Sequence, residues 1–330
     1  MEIKIPYDGH DIVDPICGIN TTYNAKRKCD IQFEAPEDME PPILIHYELT
    51  NFHQNHKNYY QSRDPYQLLG RHSSQQNEIE SKLCEPLTKL GNKFINPCGL
   101  IANTLFNDIF RLKSGNDTDG QPLEMLEEGI AWASDLEYKY AQPNGFRMQE
   151  CDDQPEDGSC DQDEICCSVE TEYQGEMVSW SCEGPAYNKK DDKCYRYHYP
   201  EQETTRYLYE TYPDVISPLE GVRNEHFIVW MRIATLPTFR KLYGYIEQPI
   251  KKGTIFTIEV EANYVVESFK GTKSIIVSTN NIFGGKNPVL GSSFIGVGFF
   301  CIVAGIFFTL KHWLRPRKLA DKRYLHYKED

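Results

Sequence analysis

The sequence predicts a mainly β (α+β) fold: an antiparallel β-sandwich-like ectodomain with short helices, stapled by disulfides and followed by one C-terminal transmembrane helix. Three observations predict it. Residues 294–310 (FIGVGFFCIVAGIFFTL) form a long uncharged stretch, which extends back to Val289. At 1.5 Å per residue, residues 289–310 make a helix of about 33 Å, enough for a hydrocarbon core of about 30 Å. Eleven cysteines occur, ten of them outside that stretch, an even number suited to a disulfide framework in an oxidising compartment. Residues 253–266 (GTIFTIEVEANYVV) alternate Phe256, Ile258 and Val260 with Thr257, Glu259 and Glu261, the period of a half-buried strand.

The charge pattern sets the orientation. Lys311, His312, Arg315, Arg317, Lys318, Lys322 and Arg323 follow the apolar stretch, so residues 311–330 read as a basic cytosolic tail. Residues 1–288 are then the exoplasmic or lumenal ectodomain of an integral membrane protein of the secretory pathway: endoplasmic reticulum, Golgi, endosome or plasma membrane. The whole chain carries −14 and the tail seven Lys/Arg against Asp321, Glu329 and Asp330, leaving −18 on residues 1–310. Such a surface repels nucleic acid, and only the tail suits anionic membrane lipids. Sequons at Asn20 and Asn116 predict glycosylation. Residues 1–6 (MEIKIP) offer neither a signal peptide nor a membrane helix; the favoured expectation is that a first membrane helix is missing from this chain, the alternatives being that a partner or an omitted exon supplies the entry signal.

Along the chain, residues 1–40 read as turn-rich and irregular. Residues 41–51 (PPILIHYELTN) lean towards strand, and 55–81 towards short helical turns interrupted by Asp64-Pro65 and Gly70. Residues 96–110 place Leu100, Ile101, Leu105 and Ile109 at helical spacing after a Pro-Cys-Gly turn. Residues 129–136 are short and semi-buried. Residues 151–194 hold six cysteines and thirteen Asp/Glu, a composition that needs cross-links to be held, and read as a disulfide-stapled Cys-rich insertion. Residues 227–233 (FIVWMRI), apolar on both faces apart from Arg232, read as a central strand, and 274–277 as another.

Catalytic signatures are absent: there is no G-x-S-x-G elbow, no H-E-x-x-H helix and no P-loop. His53 and His56 read as a solvated pair, and the cysteine spacing does not fit zinc knuckles. No cofactor, metal site or enzymatic activity is expected. Gly298, Cys301 and Gly305 fall near one helical face, where small side chains allow close approach of another membrane helix. Tyr59, Tyr60, Trp230, Arg232, Phe239, Arg240 and Tyr243 mix aromatic and Arg character suited to interfaces, with Trp230 better read as core. Arg240 and Lys241, before Leu242-Tyr243-Gly244, are the better exposed contact.

Four blocks together resemble one family. They are YELTNFHQNHKNYYQSRD (47–64), NPCGLIANTLFND (96–108), NEHFIVWMRIATLPTFRKLYG (224–244), and the run from Phe269-Lys270-Gly271 through SIIVSTNNIFGGKNPVLG (274–291). They are similar to the cell-cycle-control-protein-fifty family, the non-catalytic β (accessory) subunits of type IV P-type ATPase phospholipid flippases. The resemblance implies a heterodimer with the ATPase catalytic subunit. It also implies a role in complex assembly, export from the endoplasmic reticulum and support of aminophospholipid transport. The family pattern further implies disulfides Cys17–Cys29 and Cys84–Cys98, while the Cys-rich insertion departs from it. A single-pass cell-surface receptor or adhesion ectodomain, independent of any ATPase, is the alternative.

Overall fold

Glu2-Ile3-Lys4-Ile5 alternates charge and aliphatic side chain at the two-residue period of a strand. In the computed structural model this segment is strand β1 (Glu2–Gly9). The structure describes residues 1–10, 12, 15–19, 26–71, 82–150, 170–173, 176–179, 186–188, 193–279 and 288–315. They fall into two units, 1–279 and 280–330.

The first unit holds strands β2 (Arg27–Glu34), β3 (Ile43–Leu49), β4 (Lys89–Leu90), β5 (Lys93–Asn96), β6 (Ile109–Ser114), β7 (Arg147–Glu150), β8 (Glu170–Tyr173), β9 (Glu176–Ser179) and β10 (Ala186–Asn188). There follow β11 (Lys193–His198), β12 (Thr205–Tyr207), β13 (Phe239–Ile246), β14 (Ile255–Ala262) and β15 (Thr272–Thr279). One sheet has the order β1-β15-β3-β13 and is antiparallel throughout, with Ile275 facing both Ile5 and Tyr47. A second has the order β2-β14-β6, with Ile258 opposite Ile31. Smaller sheets are β12-β5-β4, in which β12 runs parallel to β5, β10-β11-β7 and β8-β9.

Alternation decides which face each strand buries. Ile43, Ile45, Tyr47 and Leu49 of β3 share one hydrophobic core with Ile31, Phe33, Phe256, Ile258 and Val260 of the second sheet. Phe110 joins the two sheets, meeting Tyr7 edge-on at 6.1 Å and Tyr243 at 4.5 Å. On the other face of the second sheet, charges of opposite sign stand across strands: Arg111–Glu261 at 3.1 Å and Lys113–Asp30 at 2.7 Å.

Inside the core lies one charged cluster. Lys273 is fully buried, its Nζ 2.8 Å from Asp108 and 3.1 Å from Asp8, and it also donates to the Tyr264 carbonyl. Asp108 accepts further from the Tyr7 hydroxyl and the Asn263 and Tyr264 amides. Among the described residues, Asp8 accepts only a long bond from the Ile19 amide besides its ion pair with the lysine. Burial pushes the Asp8 carboxyl above its ordinary range, against the pull of Lys273.

Cys17 is linked to Cys29, and Cys84 to Cys98, with Cα separations of 5.8 and 5.6 Å. The second bridge is docked on helical turns. Asp64 caps the helix Pro65–Leu68 through the Tyr66 amide, Gln67 accepts from the Cys98 amide, and the Ser62 hydroxyl donates to the Cys84 carbonyl. Gly99, at φ +100°, lies so close to Ser62 that a Cβ would sit 2.1 Å from its carbonyl oxygen.

Three expectations are corrected. Residues 1–40 carry two full strands, β1 and β2, because period-two alternation there outweighs the turn residues around it. Residues 96–110 are not one helix. They form a short 3-10 turn, Ala102–Thr104, and the start of β6, and Ile101, Leu105 and Phe110 are buried from different local structures. Residues 227–233 are not a strand but the helix Glu225–Met231, capped by Asn224, whose Oδ1 accepts from the Phe227 amide at 3.1 Å. The strands expected in 41–51, 253–266 and 274–277 are present, as are short helices Lys57–Gln61 and Pro65–Leu68.

In the second unit, Pro288–Leu314 is helical, and Gly291–Leu314 is long and apolar enough to cross a membrane.

Candidate partner-binding surface

Strand β13 carries three of the six expected contact residues, Arg240, Lys241 and Tyr243, and its two faces diverge. Arg240 points away from the core, opposite Glu48 of β3. Its guanidinium bonds both carboxylate oxygens of Glu2, at 2.8 and 3.1 Å, and lies 3.6 Å from Glu48, which also receives Lys4. The hydrogen bond from Arg240 holds the Glu2 carboxyl below its ordinary range. His46 sits within this lattice, and burial, then the Arg240 charge, lowers its imidazole to about 4. Arg240 is thus half-exposed but already paired.

Lys241, one residue on, turns inward with Phe239 and Tyr243, so the exposed contact expected of it is corrected. Its Nζ donates to the carbonyls of Val229 at 3.1 Å, Trp230 at 3.4 Å and Arg232, at the C-terminal end of the Glu225–Met231 helix. Burial, and the neighbouring Arg232 charge, push its ammonium down to about 7. Tyr243 is buried as well; its hydroxyl accepts from the Phe110 amide at 3.0 Å, and burial raises the phenol far above its ordinary value.

Trp230 is core, as its composition suggested: fully buried, it donates from Nε1 to the Ile101 carbonyl at 2.8 Å and packs near Phe52 and Phe239. Tyr59 is half-buried and bonds Thr104, Tyr60 is exposed, and His53 and His56 are both exposed.

Three exposed large apolar side chains were missed. Trp132 is 66% exposed, Tyr138 68% and Leu236 65%. The Arg232 guanidinium stands 4.8 Å over the Trp132 ring and donates to Asp135 at 2.7 Å, while Lys139 binds the same carboxylate. Burial raises Asp135, but hydrogen bonds from Lys139 and Arg232 outweigh it and leave the carboxyl below its ordinary range. The 232–238 segment is fastened by Asn55 on the Thr235 carbonyl and Gln54 on the Ala234 amide. A rigid, exposed Trp beside an Arg is what protein interfaces use as an anchor. The signal was Trp132 itself, next to a helix start.

Gly298, Cys301 and Gly305 lie on the exposed surface of the apolar helix, and Cys301 is a free thiol. Asn116 is exposed beside the 117–121 turn, in which Asp117 accepts from the Asp119 and Gln121 amides. Asn20 and most of the Cys-rich insertion lie outside the described residues. Among the described residues, no group of three or more His, Cys, Asp and Glu is close enough to hold a metal ion.

Residues 2–318 match the LEM3 (ligand-effect modulator 3) family / CDC50 family. The chain belongs to the CDC50 family. Its relatives include ALA-interacting subunit 3 of Arabidopsis thaliana, 30% identical across 98% of this chain and 76% of that protein. Cell cycle control protein 50A of Bos taurus is 33% identical across 92% of this chain and 73% of its own. The phospholipid-transporting ATPase accessory subunit CRF1 of Saccharomyces cerevisiae is 31% identical across 96% of this chain and 65% of its own. The surface features of this chain are a paired Arg240, an exposed Trp132 held beside Arg232, an exposed Leu236 on a fastened segment, and an apolar helix.

Proposed function

We propose that this chain is the non-catalytic accessory subunit of a phospholipid-transporting P-type ATPase, forming a heterodimer with the catalytic subunit. The observation that carries this is the family match over residues 2–318, with a relative named for that role aligned across 96% of the chain. In this reading residues 1–288 are a lumenal or extracellular ectodomain, whose two main sheets are the layers of a sandwich, with a Cys-rich insertion at 151–194. Residues 289–310 cross the membrane and 311–330 are cytosolic. Asn20 and Asn116 carry glycans, and the subunit supports assembly, exit from the endoplasmic reticulum and aminophospholipid transport. Arg240 and the Gly298–Cys301–Gly305 face are contacts, joined by Trp132 and Leu236.

The test is affinity purification of the tagged chain from mild detergent, followed by mass spectrometry. A stoichiometric P-type ATPase is expected, and its recovery should drop when Trp132→Ala and Leu236→Asp are combined in a chain that still melts normally. Scrambling 224–244 is a poor control, because Phe227, Ile228 and Trp230 are core and the domain would unfold. A folded, glycosylated chain recovered without any ATPase would refute the subunit reading and favour an independent receptor ectodomain.

A further inference from the structure

A cleft of about 520 Å³ opens in the first unit between β5, β11 and the segment after β12. Lys93, Arg206 and Glu210 line it together with Tyr197, Tyr209 and Ile216. Two cations against one carboxylate leave the cleft positive, in a chain whose residues 1–310 carry −18. A concave site of opposite sign to its surroundings concentrates ions of the charge those surroundings repel.

The carboxylate is largely spoken for. Glu210 accepts from the Tyr207 amide at 2.6 Å, and Lys93 lies 3.9 Å from its other oxygen. Lys93 also donates to the Gln202 carbonyl at 2.8 Å. Arg206 is the uncompensated group. Its Nη2 donates to the Glu210 carbonyl at 3.0 Å, but its Nε is shielded from solvent with no acceptor among the described residues. Among the described residues no carboxylate lies within ion-pair distance of it. A shielded guanidinium N–H without an acceptor is unfavourable, so a ligand oxygen that reached this guanidinium would be held strongly. Arginine's planar fork suits phosphate and carboxylate oxygens, and the tyrosine rings with Ile216 supply a wall for an organic body.

We propose that this cleft binds a small oxyanion ligand, a phosphate- or carboxylate-bearing organic molecule, with Arg206 as its main anchor and Lys93 as the second cation. The site is separate from the exposed Trp132 and does not depend on the accessory-subunit reading.

The test uses the full chain in nanodiscs of phosphatidylcholine, titrated with O-phosphoserine and with inorganic phosphate and followed by calorimetry and ligand-observed NMR. Both anions should bind below about 10 mM, phosphoserine more tightly. Arg206→Gln should weaken phosphoserine roughly tenfold or more, and Lys93→Gln several-fold. Lys93 is exposed enough that its variant folds, so the test survives if Arg206→Gln does not. Nanodiscs containing phosphatidylserine that compete with phosphoserine would identify a lipid headgroup as the source; absence of competition would identify a free solute, and either supports the oxyanion site. No binding of either anion up to about 10 mM, or binding unchanged in Lys93→Gln and in any folded Arg206 variant, would overturn the proposal.

Discussion

Replacing Lys273 with methionine should destabilise the first unit by about 3–5 kcal/mol, the range for removing one partner of a buried ion cluster. The magnitude follows from what is left behind. Lys273 is wholly buried between Asp108 at 2.8 Å and Asp8 at 3.1 Å. Without it Asp108 keeps three donors: the Tyr7 hydroxyl and the Asn263 and Tyr264 amides. Among the described residues Asp8 keeps only the Ile19 amide at 3.4 Å, so the uncompensated charge falls on Asp8. Burial already raises the Asp8 carboxyl in the presence of the lysine. Adding Asp8→Asn to Lys273→Met should therefore recover a large part of the loss, although each change alone removes a contact. The assay is thermal unfolding of the detergent-solubilised full chain at pH 7, followed by intrinsic fluorescence. A loss of that size lowers the melting temperature by about 10 °C in a domain of this length. The pH dependence has a definite sign. Because the folded Asp8 value lies above the unfolded 3.8, folding takes up a proton. The stability this gives is present at low pH and lost as pH rises from 3.8 through the raised value. Asp8→Asn should remove that component of the slope. A Lys273→Met chain melting within about 2 °C of the parent, or a double variant no better than the single, would refute this account.

Lys241 titrates in the opposite sense. Its folded value of about 7 lies below the ordinary 10.5, so folding releases a proton and the stability tied to this residue rises with pH between them. Melting temperatures from pH 7 to 9 should rise more steeply in the parent than in Lys241→Met, and parallel curves would count against a buried, titrating lysine. Trp230→Ala should cost about 3–5 kcal/mol and lower ATPase recovery only through unfolding, whereas Trp132→Ala should leave the melting temperature within about 2 °C while reducing recovery; comparing melts with pull-downs separates the two. Cys84→Ser with Cys98→Ser opens a loop of sequence separation 14 and should cost about 3 kcal/mol, read from the same melts.

The strands with clean alternation were legible in the sequence, and the apolar helix was legible from its length. The misreadings have separate causes. The run 227–231 is apolar on every side, and a short run of that kind has no period with which to tell a buried strand from a buried helix. Deciding information lay just upstream, where Asn224 and Glu225 form a helix start with a cap and an acidic first turn. In residues 1–40 the opposite happened: Glu2-Ile3-Lys4-Ile5 and the Ile31, Phe33 pair of β2 had strand period, but the prolines, glycines and cysteines between them carried more weight than they should. The spacing in 96–110 matched a helix because Ile101, Leu105 and Phe110 do reach one core, from a turn and a strand rather than from successive helical turns.

Lys241 and Tyr243 fail as exposed contacts for a related reason. A mixture of Arg, Lys and aromatic side chains suits an interface, yet composition does not say which way a side chain points. On β13 the alternation does: Phe239, Lys241 and Tyr243 share the inner face, and Arg240 and Leu242 alternate to the outer. A lysine flanked at two-residue spacing by Phe and Tyr must be buried, and a buried ammonium needs acceptors. Here they are the terminal carbonyls of the Glu225–Met231 helix, which has no C-terminal glycine to close it. The inward lysine and the helix before it are thus one device, and Lys241 belongs to the scaffold that closes the end of the Glu225–Met231 helix at Arg232 rather than to the surface a partner would touch.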